Sequence, residues 1–340
     1  SARNTPAPMR IARALVVILL SACSPSADST GVDEPPQDPH TIPAGPFTPG
    51  QAYFGRSSYI EYVAGNSPVV FTAPHGGALK PAGIPDRVAV NCGGAATTST
   101  DLNTIELVRA MQRRHFARFG TYPHIILNHL ARGKLDPNRT VLEAACGDAA
   151  VKTAYAEWHD FIGVATTAAL TASGKAWYMD MHGHGHSAQR LELGYLLTSA
   201  ELNLTDAELN ANVAYQNASS IRSISEESPL SFAQLLRGDT SLGALYVLAG
   251  FAAMPGNTEM RPNVDPYFSG GDNTRRHTCG AEATAFGGVT GGNVCGVQVE
   301  SNYTGVRDNA ANRDRFGDAT ASALQQYLSL HWGLRLDALR

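Results

Sequence analysis

Four short apolar runs punctuate this chain: "SPVVFTAP" (67–74), "HIILNHL" (124–130), "KAWYMDMH" (175–182) and "CGVQVES" (295–301). Runs of this length, bounded by turn residues, suit strands buried on both faces. Between the first two lies "TDLNTIELVRAMQRRHFARFG" (100–120), with Leu102, Ile105, Val108 and Met111 on one helical face. Thr100 or Asp101 can cap that helix and Gly120 ends it. Residues 148–174 predict a second helix ending at Gly174, and 318–332 a third near the C-terminus. Strands alternating with helices of this size predict an α/β fold, a three-layer sandwich around a mostly parallel or mixed central sheet.

In such sheets functional groups gather at the carboxyl ends of the strands. "APHGG" follows the first run, "DMHGHGH" closes the third, and Glu300 closes the fourth. His75 precedes Gly-Gly, where the backbone bends and a ligand can approach. His182, His184 and His186 alternate, so they share a face only if the strand continues through the intervening glycines. We therefore expect His182 to be the ligand, Asp180 to order the strand end or to support that ligand from behind, and His184 and His186 to line a cleft, His184 against substrate. Two histidines and a carboxylate with a fourth position open describe a catalytic zinc site. Asp86 in "IPDR" is the expected carboxylate, and Asp101 is its competitor. Glu300, a carboxylate ending an apolar strand, is placed to act as base in hydrolysis.

Arginines supply a third group. "LARGKLDPNR" carries Arg132, Asp136, Asn138 and Arg139, and "YFSGGDNTRRH" carries Arg275 and Arg276. Guanidinium forks bind carboxylates bidentately and stabilise developing negative charge. No basic stripe accompanies them, and the formal charge of −4 argues against nucleic acid as a partner.

The N-terminal segment carries a second message. Met9 and Arg10 lead into "IARALVVILLSACSPS", a basic start and an apolar run too short to span a bilayer. "LLSAC" resembles a bacterial lipobox, which implies a signal peptide over 1–22 and a lipid anchor at Cys23 as the one contact with a membrane. Residues 23–50, rich in Pro, Ser, Asp and Gly, then read as a disordered tether, and 51–340 as one domain. The remaining cysteines are four, an even count that fits two disulfides in an exported chain. Cys279 with Cys295, and Cys92 with Cys146, is the favoured pairing.

Taken in order, these motifs resemble the N-formylglutamate amidohydrolase family of zinc carboxypeptidase-like hydrolases. The matching segments are "PHGG" (74–77), Arg132-x-x-x-Asp136-x-Asn138-Arg139, Asp180-Met181-His182-Gly183, Phe268-x-Gly270-Gly271-x-x-x-Arg275 and Gln298-Val299-Glu300, with His159 in "YAEWHDF". Gly183 stands where the family has serine, and Asp272 where a tyrosine is common. The resemblance implies zinc held by His75, His182 and an acidic residue, with Glu300 as general base and acid. It implies that Arg132 polarises the scissile carbonyl and that Asn138, Arg139 and Arg275 grip a substrate carboxylate.

The expected activity is thus an exported zinc-dependent hydrolase cleaving an amide bond near a carboxylate, on small carboxylate-bearing or peptide-like substrates. An esterase using the same water and base, and a non-catalytic ligand-binding surface lipoprotein, are the alternatives. A serine hydrolase through Ser187 lacks the G-x-S-x-G elbow.

Overall fold

Eight strands form one sheet: β1 (Ala52–Phe54), β2 (Ile60–Val63), β3 (Val69–Ala73), β4 (His124–Asn128), β5 (Ala176–Gly183), β6 (Leu191–Gly194), β7 (Ala253–Met254) and β8 (Val294–Ser301). Their spatial order is β1-β2-β4-β3-β5-β8-β6-β7. This computed structural model describes residues 42–281 and 292–337. The expected signal peptide, Cys23 and the first part of the tether lie outside the described residues.

The four apolar runs are the four central strands, and all are parallel: β3 pairs with β4 and β5, and β5 with β8. Antiparallel pairs extend the sheet on both sides, β2 against β4 and β6 against β8. The pleat divides the side chains between two cores. Phe71, Met179 and Val297 stand in register and face one core. It is covered by α1 (Thr104–Phe119) and, at the end of the chain, by the helix Ala310–Trp332. Val70 and Tyr178 face the other core, under α2 (Ala149–Ser173). The result is a mixed α/β sandwich with helices on both faces.

Several boundaries move. α1 begins at Thr104, because Asn103 takes a left-handed φ of 65° and breaks the run before it. Neither Thr100 nor Asp101 caps it, and Leu102 is exposed. α2 runs as expected, with Asp148 accepting from the Val151 N–H at 3.0 Å and Gly174 closing it. The C-terminal helix starts eight residues earlier than 318, at Ala310, capped by the Asn309 side chain. The tether expected through residue 50 ends sooner, since Ile42 and Phe47 pack on the α2-side core. The Phe47 ring sits 4.8 Å from that of Tyr53 and 5.3 Å from that of Tyr62, and aromatic burial of this kind outweighs the Pro and Gly around it.

Both disulfides join as expected, Cys92 to Cys146 and Cys279 to Cys295. The first fastens the loop after β3 to the loop after β4. Those two loops supply Thr97, Ser99, Asn138 and Arg139 to the cavity described below. Two such bonds fit an oxidising compartment. No helix among the described residues is long and apolar enough to cross a membrane.

Candidate metal centre

The α2-facing side of the sheet changes from apolar to polar as the strands near their carboxyl ends. Thr72, Asp180 and Gln298 stand in one register row, and His182, Glu300 and Glu192 in the next. All six are buried. Above them opens a cavity of about 560 Å³ lined by His75, Asp101, Arg132, Asn138, Arg139, His182, Glu300 and the turns 183–186 and 267–271.

Three side chains converge there. His75 Nδ1 and His182 Nδ1 lie 3.1 Å apart, and Asp101 Oδ2 lies 3.3 Å from the first and 3.4 Å from the second. Behind each ring stands a carboxylate. Asp136 Oδ1 accepts from His75 Nε2 at 2.6 Å, and Asp180 Oδ2 accepts from His182 Nε2 at 2.8 Å. A carboxylate can only accept, so each Nε2 carries a proton and, in the neutral ring, each Nδ1 presents a lone pair. Two imidazole lone pairs and an anionic oxygen therefore face one point, an arrangement that repels itself unless a cation occupies it. Ligands held tetrahedrally at about 2.0–2.1 Å lie about 3.3 Å apart, the spacing seen here. A carboxylate behind each metal-binding histidine is the usual outer support of such a site.

The local charge agrees. Burial pushes the His182 imidazole down, but Asp180, Asp101 and Glu300 push it up further, to about 10. In the metal-free cluster that positive charge is a proton on His182 Nδ1, whose place a metal ion would take. Burial likewise raises Asp101, yet His75 and His182 carry it well below the ordinary carboxylate range. Glu300 Oε1 lies 4.0 Å from His182 Nδ1 and accepts from Gln298 Nε2 at 3.1 Å, beside the triad rather than within it. Burial pushes its carboxyl up to about 7; His182 and Arg132 pull it back, while Asp101 and Glu192 raise it further.

Asp86, the expected carboxylate, is not in this cluster. Its carboxylate is 71% exposed and pairs with Lys134 at 2.9 Å. Asp101 takes the position because the chain, after its excursion through 78–100, returns directly onto His75, with the Asp101 N–H donating to the His75 carbonyl at 3.0 Å. The Gly183 N–H then holds Asp101 Oδ2 at 3.1 Å. Gly76 and Gly77 serve close approach of chain to chain rather than of ligand: a Cβ on Gly77 would meet the His129 carbonyl carbon at 2.3 Å. Gly183 has a similar cause, since a Cβ there would lie 2.3 Å from the Arg307 guanidinium carbon. Arg307 in turn binds the Ser301 and Leu102 carbonyls, tying the Asp101 loop to the end of β8.

Arg132 lines the cavity with Nε on Asp136 at 2.9 Å and Nη1 3.6 Å from Asp101. Arg139 lines it too, its Nη1 on the Asn138 carbonyl at 2.7 Å. Asn138 is braced as well as lining, its Oδ1 accepting from the Asn273 N–H at 2.8 Å. Arg275 is not among the lining residues. It sits in the short helix Asp272–His277 and turns to Asp272, three residues back on the same helix, at 3.3 Å. His184 lines the cavity with both ring nitrogens spent, Nε2 on the Arg190 carbonyl at 2.7 Å and Nδ1 on the His186 N–H at 3.1 Å. It lines the cavity as expected, and a ligand there would meet its ring carbons. Asp136 as the support of His75, and Glu192, were not anticipated. A glutamate inside "LELG" was the available signal for the latter.

No family model matches this chain, and no curated protein does. Among solved structures it is similar to N-formylglutamate amidohydrolase from Ralstonia eutropha JMP134, at 14% identity and a TM-score of 0.43, over 81% of this chain and 98% of that one. It is also similar to gene product Atu2144 from Agrobacterium tumefaciens, at 14% identity and a TM-score of 0.43, over 80% and 95%. At such distances the chemistry has to be argued from the side chains.

Asp180 offers a direct test of the support geometry. Its other oxygen accepts from Thr72 at 2.5 Å, and Asn273 Nδ2 donates to Oδ2 at 3.1 Å, so the carboxylate is fixed. Asp180→Asn is expected to weaken zinc binding about 10–100-fold, measured by competition with a chromogenic chelator.

Proposed function

We propose that this chain is an exported zinc-dependent hydrolase that cleaves an amide bond beside a substrate carboxylate. The observation that carries the reading is the convergence of His75 Nδ1, His182 Nδ1 and Asp101 Oδ2 at 3.1–3.4 Å, with a carboxylate behind each ring. Those three residues would hold the ion, and two nitrogens and an oxygen suit zinc. When bound, zinc supplies a Lewis acid and lowers the pKa of water.

The chain's own groups supply the remainder. Glu300, buried at the cavity floor beside the triad, takes a proton from water. Arg132, held toward the cavity by Asp136, opposes the negative charge that develops on the carbonyl oxygen. Arg139, on the same wall, meets a substrate carboxylate, with Asn138 fixing the turn beneath it. Export rests on the N-terminal segment and the two disulfides, with anchoring through a lipid at Cys23.

Zinc analysis and a substrate panel test the reading together. The purified chain is expected to carry one zinc, to lose hydrolysis of N-acyl amino acids on chelation, and to regain it with zinc. N-acyl amines lacking the carboxylate should react at least about tenfold more slowly, the loss of one charge-assisted pair. Turnover that survives complete removal of metal would sink the proposal.

A further inference from the structure

A second group of histidine and carboxylate lies one strand away from the triad, formed by His184, His186 and Glu192. It differs from the first in a decisive respect: its polar atoms already satisfy one another. His184 spends both ring nitrogens on backbone. Glu192 Oε1 accepts from His186 Nδ1 at 2.8 Å, and Oε2 accepts from the Phe268 N–H at 3.0 Å. No set of lone pairs faces a common point, so the group is not built for a metal.

What remains over is one atom. With Nδ1 donating to Glu192, His186 Nε2 is the ring atom left to give or take a proton. No described residue hydrogen-bonds to it, and the side chain is 20% exposed in the wall of the cavity. The imidazole is nevertheless fixed from several sides. Its ring stacks on Phe268 at 4.7 Å with planes 10° apart, the backbone N–H of His186 donates to His184 Nδ1, and its carboxylate partner is wholly buried. A surface histidine that only neutralised Glu192 would need none of the stacking, and no opening toward the cavity.

From this placement we infer that His186 is a second proton-transfer residue of the site, the acid that protonates the leaving group, with Glu192 positioning it. The inference rests on the proposed hydrolase activity. Glu192 and Glu300 are register partners on adjacent strands, about 4.8 Å apart, so the imidazole stands one strand beyond the base. Water gives its proton to Glu300 and forms the new C–O bond. The C–N bond breaks, and its electron pair takes the proton from His186 Nε2, leaving neutral imidazole and free amine. Glu300 then loses its proton to solvent as His186 regains one. A histidine held by a buried carboxylate is suited to handing a proton on and regaining it.

The prediction is a dependence on leaving group. His186→Asn should slow hydrolysis of an N-acyl amino acid about 10²–10⁴-fold, while a 4-nitrophenyl ester of the same acyl group, whose leaving phenolate needs no proton, changes less than about fivefold. Glu192→Gln, which keeps the shape, should show the same split. Zinc content and the circular dichroism spectrum report that each variant is folded. Equal losses on both substrates would overturn the inference and leave the hydrolase reading intact. A wild-type chain inert toward amide and ester alike removes both.

Discussion

Glu300→Gln is expected to cut turnover about 10²–10⁴-fold with zinc retained at one per chain. The substitution is nearly isosteric, and its amide oxygen can still accept from Gln298 Nε2, which now lies 3.1 Å from Oε1. What it cannot do is take a proton. The carboxylate lies outside the triad, 4.0 Å from the His182 nitrogen, so the ion keeps its ligands. Steady-state kinetics with metal analysis on the same sample separates the outcomes. Activity lost together with zinc would make Glu300 a ligand; activity retained would remove it from the mechanism. The pH profile adds a signed check. Burial raises the Glu300 carboxyl to about 7, and a base works only when deprotonated, so the wild-type rate should fall as pH drops through an acid limb. A bound cation favours the carboxylate and moves that limb below 7. The residual rate of the Gln variant should lack it.

How far the sequence alone could lead is clearest from particular residues. The parallel centre of the sheet was legible because strands buried on both faces read as continuous apolar runs. The flanking strands were not: Ala52–Phe54, Ile60–Val63, Leu191–Gly194 and Ala253–Met254 are two to four residues long, too short for periodicity to register. His75, His182 and Glu300 were legible for the same reason as the core, since each closes an apolar run where parallel strands deliver their ends to one edge. Asp101 was legible only as a competitor of Asp86, because its place depends on a loop of over twenty residues returning to its origin, and spacing along the chain says nothing of that return. The Gly-Gly after His75 suggested room for a ligand, whereas the space is taken by the Thr104 side chain and the His129 backbone. Arg275 failed for a local reason, as an acidic residue three positions earlier on the same helix claims its guanidinium.

The exchange of Asp86 for Asp101 yields the second large prediction. Asp101→Asn should weaken zinc binding by more than about 100-fold, beyond the loss expected for a residue that merely supports a ligand. An amide oxygen is a poorer ligand than a carboxylate, and its NH₂ end would face either the ion or the Gly183 N–H that now donates to Oδ2. It also removes a negative charge that helps hold the His182 imidazole up. Asp86→Asn should change zinc affinity less than twofold, because its carboxylate is exposed and pairs with Lys134 rather than with the triad. A chelator competition series at fixed pH measures both variants on one scale. If Asp86→Asn releases zinc and Asp101→Asn holds it, the ion is not where these three lone pairs meet, and the assignment of His75 and His182 fails with it. If only Asp101→Asn releases it, the chain's return to His75 at residue 101 is what completes the site, and the loop 78–100 becomes the segment whose length and anchoring by the Cys92–Cys146 bond set the affinity.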